Sequence, residues 1–197
     1  MQSTSAPTVI RVRITPRRIV DRAEREQAFE SLARDVGGRA LSVALGLLGS
    51  PAAAEDAVQE AFERAFRGLD GYRGEAELST WFLRIVVNTA HRHGRRGRRF
   101  LLRPEDVSNR ERPTASGAES PQARTEAAEI QRRLTAALQG LPRRQRVAFV
   151  LRYVEGMSTD ETAAVMDCAS GTVKATLHKA VGKLRRELED LHEEEPG

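Results

Sequence analysis

The chain has 197 residues, 40% of them hydrophobic and 30% charged, with a formal net charge of +4. That length suits one large domain or two small ones, and the hydrophobic share supports a packed core, which excludes a wholly disordered chain. No apolar run is long enough to span a membrane, residues 1–20 lack the apolar stretch of a secretory signal, and the single Cys168 excludes an internal disulfide and every multi-cysteine zinc module, so a cytoplasmic protein is expected.

Along the chain the pattern is helical. Residues 1–22 are expected to form a disordered basic arm, with strand-like alternation only over Ile10–Ile14. From Ala23 to about Gly49 the spacing predicts two helices, one marked by Phe29, Leu32 and Val36, the other by Leu41, Ala44, Leu45 and Leu48. Gly37-Gly38 is the expected break. Gly49-Ser50-Pro51 reads as a stop followed by a start, since Ser can cap and Pro suits the first helical position. The next helix runs to about Leu69, with Ala54, Val58, Ala61, Phe62, Ala65 and Phe66 on one face. Asp56, Gln59, Glu60, Glu63, Arg64 and Arg67 line the other.

A loop over Asp70–Gly74 precedes a helix from near Leu78. Trp81, Phe82, Ile85, Val86 and Thr89 share one face before the helix turns strongly basic. Periodicity fails between Pro104 and Gln122, where three prolines sit among Ser, Asn, Gly and Glu. A flexible linker over 104–123 is expected to divide a first helical domain (23–103) from a second (124–191). In the second, Ile130, Leu134, Leu138 and Leu141 mark one helix, and Val147, Val150, Leu151 and Val154 the next, ended by Gly156. Ser158 and Glu161 have the spacing of a capping box and open a short helix to about Met166. After a turn over 167–170, the last helix carries Val173, Leu177, Val181, Leu184, Leu188 and Leu191. Residues 192–197 form an acidic tail. The fold class is therefore all-α, two small helical domains joined by a linker.

Position matters more than net charge. Of the 32 basic residues 29 are Arg, a bias that says little about phosphate binding, whereas all three Lys (Lys174, Lys179, Lys183) lie on the last helix. Residues 84–103 contain seven Arg and no acid, while residues 124–197 contain 12 basic and 12 acidic residues and sum to zero.

Three constellations follow. The segment Thr159–His178 has the layout of a DNA-binding helix-turn-helix, which offers the first turns of its second helix to the major groove; an ordinary helical hairpin with a solvated face is the rival. The Arg-rich end of the first domain could neutralise phosphates with counterion release, against a solvated tail, and Trp81 and Phe82 could stack on unpaired bases but share a face with Ile85 and read as core. The acidic face Asp56, Gln59, Glu60, Glu63 could suggest acid–base or metal chemistry. With no nearby His and no Gly-rich loop, a solvated or partner-docking face fits better. His91 and His93 point apart on a helix, Cys168 lacks a paired Cys, and no nucleotide-binding or hydrolase signature exists. No enzyme, metal site or cofactor is expected.

The motif Glu55-Asp56-Ala57-Val58-Gln59-Glu60-Ala61-Phe62, then Tyr72-Arg73-Gly74-Glu75 and Thr80-Trp81-Phe82-Leu83-Arg84-Ile85-Val86-Val87-Asn88, resembles the second conserved region of sigma-70-type sigma factors. Leu141-Pro142-Arg143-Arg144-Gln145, Met166-Asp167-Cys168 and Gly171-Thr172-Val173-Lys174 resemble the fourth. With two regions and a short linker, the chain is similar to the extracytoplasmic-function group.

The resemblance implies a subunit that binds RNA polymerase core and directs promoter-specific initiation. Core binding, to the beta-prime clamp, would fall to Glu55, Asp56, Val58, Gln59, Glu60, Phe62 and Glu63, with the beta flap as a further partner. The −10 element would be opened and read by Tyr72, Arg73, Trp81, Arg84, Asn88, Arg92, Arg95 and Arg96. The −35 element would be read by Ser170, Thr172, Lys174, Thr176, His178 and Lys179. An anti-sigma factor is an expected partner. The sequence departs from the usual pattern at Ala175-Thr176, at Val181-Gly182 and at Thr162, which stands where Ile is usual. Two rivals stand beside this reading: a stand-alone helix-turn-helix regulator, and a metal-dependent nucleic-acid enzyme using the acidic helix.

Overall fold

A computed structural model describes residues 22–100 and 121–189, with side chains left undescribed at 22, 24, 25, 96–100 and 121–128. The expected arm, most of the expected linker and the acidic tail lie outside the described residues. Seven α-helices are described: α1 (Arg22–Leu48), α2 (Pro51–Gly68), α3 (Leu78–Phe100), α4 (Pro121–Gly140), α5 (Arg143–Phe149), α6 (Thr159–Met166) and α7 (Ser170–Glu187). A 3₁₀ turn, Leu69–Gly71, follows α2, and a π-turn, Val150–Val154, follows α5.

The expected break at Gly37-Gly38 does not occur, and α1 runs straight through it. Two helical glycines cost about 1 kcal/mol each relative to Ala. Against that, Leu32, Val36, Ala40, Val43, Ala44 and Leu47 form one unbroken buried stripe, and packing wins over propensity. The true stop is Gly49, at φ +69°. Ser50 then caps α2, accepting from the Ala53 N–H, with Pro51 in the first turn. The linker boundary also shifts, because Pro121 and Gln122 belong to α4.

Helices α1, α2 and α3 pack as a bundle. Ala54, Ala57, Ala61 and Ala65 are all fully buried, so α2 can approach its neighbours closely. Phe62 then stacks on Phe82 with ring centroids 4.5 Å apart, and Phe29 meets Phe62 and Phe66 edge-on at 5.7 and 5.3 Å. Ala148, Ala163, Val173 and Leu177 fasten α5, α6 and α7 together, and Ala137, Leu138, Leu141, Ala180 and Leu184 seat α4 on α7. The two halves share a core: Val147, Val150, Leu151, Met157 and Val165 belong to the same buried cluster as α1–α3.

The capping box is present. Ser158 Oγ accepts from the Glu161 N–H at 3.1 Å while the Glu161 carboxylate accepts from the Ser158 N–H at 2.8 Å. Asp167, at φ 52°, ends α6 in the left-handed region, which Asp tolerates better than most residues. This fixes the sharp turn into α7.

Candidate nucleic-acid interface

On α7 the buried face is Val173, Leu177, Ala180 and Leu184. The helical repeat therefore turns Gly171, Thr172, Lys174, Ala175, His178 and Lys179 outward, and all six are exposed. Ser170 and Thr176 are half-buried and already engaged. Ser170 Oγ donates to Asp160 Oδ1 at 2.5 Å, tying the start of α7 to α6, and Thr176 Oγ1 donates to the Thr172 carbonyl at 2.7 Å. Lys183 is half-exposed and also engaged, donating to the Gly140 carbonyl at 2.8 Å. Of the three lysines, Lys174 and Lys179 are thus the pair displayed on the exposed face.

The set expected to meet the −10 element divides. Arg73, Asn88 and Arg95 are exposed. Tyr72 is buried, and its hydroxyl donates to the Ala76 carbonyl at 2.5 Å; burial, with Glu77 nearby, raises the phenol pKa. That bond ties Tyr72 to the loop before α3. Trp81 is half-buried, packs against the core and lies 5.3 Å from the Tyr72 ring, and Phe82 is fully buried, as its shared face with Ile85 predicts. Arg84 donates to the Ala164 carbonyl of α6 at 2.5 Å, and Arg92 to Thr89 Oγ1 at 2.8 Å. The Arg96 side chain lies outside the described residues.

On α2, Glu55, Asp56, Gln59 and Glu63 are exposed, whereas Val58 and Phe62 pack against the core. Glu63 pairs with Arg67 at 3.0 Å. Glu60 differs from its neighbours. His93 Nε2 lies 2.6 Å from its Oε2, Arg64 Nη2 2.7 Å and Arg92 Nη2 3.6 Å from its Oε1. The hydrogen bond from His93, then that from Arg64, holds the Glu60 carboxyl at a pKa of about 2. The sequence reading that no His neighbours the acidic face is therefore corrected: His93, 33 positions away, reaches it from α3.

Sequence reasoning also missed Arg146, which is buried and donates to the carbonyls of Leu47, Gln139 and Leu141. An Arg beside an apolar run gives no sequence signal for this, because backbone carbonyls carry none and one partner, Leu47, lies far off in the chain. Arg95 and Arg143 line one cleft, together with residues of α1 and α4. Burial, then the charges of Arg144 and Arg95, lowers the Arg143 pKa. Among the described residues no three His, Cys, Asp or Glu side chains gather to hold a metal ion, and no helix is long and apolar enough to cross a membrane.

Residues 32–100 match the family model for sigma-70 region 2, and residues 131–184 that for sigma-70 region 4. The RNA polymerase sigma-H factor of Pseudomonas aeruginosa is 32% identical over 180 residues, covering 88% of this chain and 93% of that protein. The chain belongs to the sigma-70 family, in its extracytoplasmic-function group. The ECF RNA polymerase sigma-E factor of Escherichia coli K12 is 34% identical over 141 residues, 69% of this chain and 74% of that one. A solved sigma factor from Bartonella quintana, in complex with its anti-sigma factor, superposes with a TM-score of 0.62 at 25% identity, over 83% of this chain and 98% of that one. As a sigma factor the chain directs RNA polymerase to promoters for specific transcription initiation. Sigma factors are generally non-enzymatic regulators of transcription.

Proposed function

We propose that this sigma factor divides its work between two units, 23–103 and 124–191, and acts by binding and base capture alone, in the cytoplasm. The exposed edge of α2, led by Glu55, Asp56 and Gln59, docks on the beta-prime clamp. Arg73, Asn88 and Arg95, joined by Arg84 and Arg92 once their present bonds are exchanged, meet the −10 element. Lys174, His178 and Lys179 reach base edges and phosphates of the −35 element. The observation that carries this reading is the capped helix-turn-helix, which displays those three side chains on the face of α7 opposite its buried stripe.

Energetics demand a polymerase partner. Separating roughly ten base-pair steps costs about 14 kcal/mol at about 1.4 each, and one or two captured bases return only about 1–3 kcal/mol each. The polymerase core must supply the rest. An anti-sigma factor is a further partner, supported by the Bartonella quintana sigma factor having been solved with one.

Run-off transcription with reconstituted holoenzyme tests the proposal. Promoters are taken from transcripts induced by overexpression, whose aligned start sites define both elements. Initiation by core polymerase should depend on the added protein, and equal initiation without it would overturn the reading.

A further inference from the structure

The cleft lined by Arg95 and Arg143 encloses about 400 Å³. Part of its lining is apolar, from the buried Leu47, Val87, Leu141 and Val147, and part is cationic, from the two exposed arginines. Among the described residues no Asp or Glu lines it, and neither Arg95 nor Arg143 makes a hydrogen bond or ion pair. Burial, then the charges of Arg144 and Arg95, lowers the Arg143 pKa, so like charges gather here without a carboxylate to balance them. The occupant that fits such a cleft is both acidic and apolar: opposite charge relieves the repulsion, and apolar contact removes the lining from water.

The end of α7 stands at the same wall. A Cβ added to Gly140 would lie 3.3 Å from Glu187 Oε2, and Leu188 packs on the cluster that contains Leu141. Gly140 and Leu141 both line the cleft. Glu187 itself is engaged, 3.6 Å from Lys183. Beyond Glu189, the last described residue, the chain continues Asp190-Leu191-His192-Glu193-Glu194-Glu195, with four acids and no Lys or Arg. Six residues of extended chain reach roughly 20 Å, enough to cross a cleft that begins at the wall α7 touches.

We propose that the acidic segment 190–195 docks in this cleft, setting its carboxylates against Arg95 and Arg143 and Leu191 against the apolar lining, and so competes with DNA phosphates for Arg95. The competition rests on the reading of Arg95 as a −10 contact; the docking does not. The occupant is a part of the chain itself, tethered beside the cleft, and tethering gives it a high effective concentration there. The segment thus acts as a polyanion that a single strand must displace from one of the exposed arginines of α3.

Contact quenching in the full chain tests the docking. A bimane dye is placed at Pro142→Cys, an exposed position lining the cleft, in a Cys168→Ser background, and a quencher is added to the segment as His192→Trp. Trp81 is common to every variant, so the comparison is with and without the added Trp. Quenching is expected at about 0.1 M salt and should weaken at about 1 M, as the Debye length falls from about 10 Å to about 3 Å. Arg143→Glu should relieve it, and Arg143→Glu with Glu193→Arg and Glu194→Arg should restore it. No quenching at low salt, or quenching indifferent to these charge reversals, would overturn the docking and leave the cleft to a free anion. Quenching that grows with protein concentration would make the occupant the segment of a second copy, and would overturn docking within one chain.

The competition is read with a fluorescent oligo-dT single strand. Glu193→Gln, Glu194→Gln and Glu195→Gln together should tighten its binding by about two- to fivefold, the usual yield of exposed charge pairs. In an Arg143→Ala background the same three changes should gain less, because docking is already weakened. Equal gains in both backgrounds, the additive behaviour of independent sites, would mean that the segment repels DNA only through its overall charge, and would overturn the competition. The assignment of α3 fails separately: Arg95→Ala would then leave single-strand binding intact in the neutralised chain, while quenching still reports docking.

Discussion

His93 of α3 and Glu60 of α2 meet at 2.6 Å, and the guanidinium groups of Arg64 and Arg92 reach the same carboxylate. The pKa of Glu60 falls from its ordinary 4.5 to about 2. A depressed carboxylate contributes stability above its unfolded pKa and loses it as pH falls toward the folded value. The contribution should therefore be complete above pH 4.5 and gone near pH 2. Because solvent reaches the group, the expected cost of Glu60→Gln at neutral pH is modest, about 1 kcal/mol, which lowers Tm by roughly 2–4 °C in a chain of this size. Urea midpoints at pH 6, 4 and 2.5 check this: the gap between wild type and variant should be constant at the upper pH and narrow at the lowest.

The same geometry predicts that Glu60 and its neighbours differ in function. Glu60 is committed to cations of α2 and α3, and Glu63 to Arg67, whereas Asp56 and Gln59 are exposed on the outer edge. Substituting Asp56→Ala should weaken affinity for polymerase core severalfold with no change in Tm. Glu60→Gln should do the reverse, lowering Tm with little effect on core affinity. Fluorescence titration of labelled sigma with core, beside thermal melts, distinguishes the two. A core affinity equally sensitive to both residues would place Glu60 on the docking edge.

Much of this was legible in the sequence because it is local. The Ser158/Glu161 capping box, the Ser50-Pro51 start of α2 and the buried stripe of α7 are set by residues three or four positions apart. What was illegible depends on residues far apart in the chain. Gly37-Gly38 reads as a break on propensity, yet the stripe from Leu32 to Leu47 packs against α2 and α3 and holds the helix through it. No spacing rule brings His93 to Glu60, Arg84 to Ala164 or Arg146 to Leu47. Nor does the pattern around Tyr72, expected among the −10 residues, show that its ring is buried and its hydroxyl bound to the Ala76 carbonyl.

The three lysines of α7 should behave unequally on DNA. Lys174 and Lys179 are exposed on the outer face of α7, whereas Lys183 donates to the Gly140 carbonyl and lies 3.6 Å from Glu187. Removing a side chain that neutralises one phosphate reduces the slope of log affinity against log salt by about 1. Lys174→Ala and Lys179→Ala should each weaken duplex binding and flatten that slope. Lys183→Ala should leave binding and slope unchanged while removing a tie between α7 and the end of α4. Anisotropy titrations of a −35 duplex at several salt concentrations report both quantities.

Thr162 offers a test of the packing of the helix-turn-helix itself. Its side chain is fully buried on α6, and its Oγ1 has no hydrogen-bond partner among the described residues. A buried hydroxyl without a partner bears a desolvation cost of about 1–3 kcal/mol. Valine has nearly the same shape and carries no polar atom to desolvate. Thr162→Val should therefore stabilise the protein by about 1 kcal/mol, raising Tm by roughly 2–4 °C. Thr162→Ala should fall below Thr162→Val, because it removes the same hydroxyl but leaves a methyl-sized void. Duplex affinity should be unchanged in both, since Thr162 lies on the buried side of α6. A destabilised Thr162→Val would mean that the hydroxyl is satisfied in solution, by an ordered water held between α6 and its neighbours.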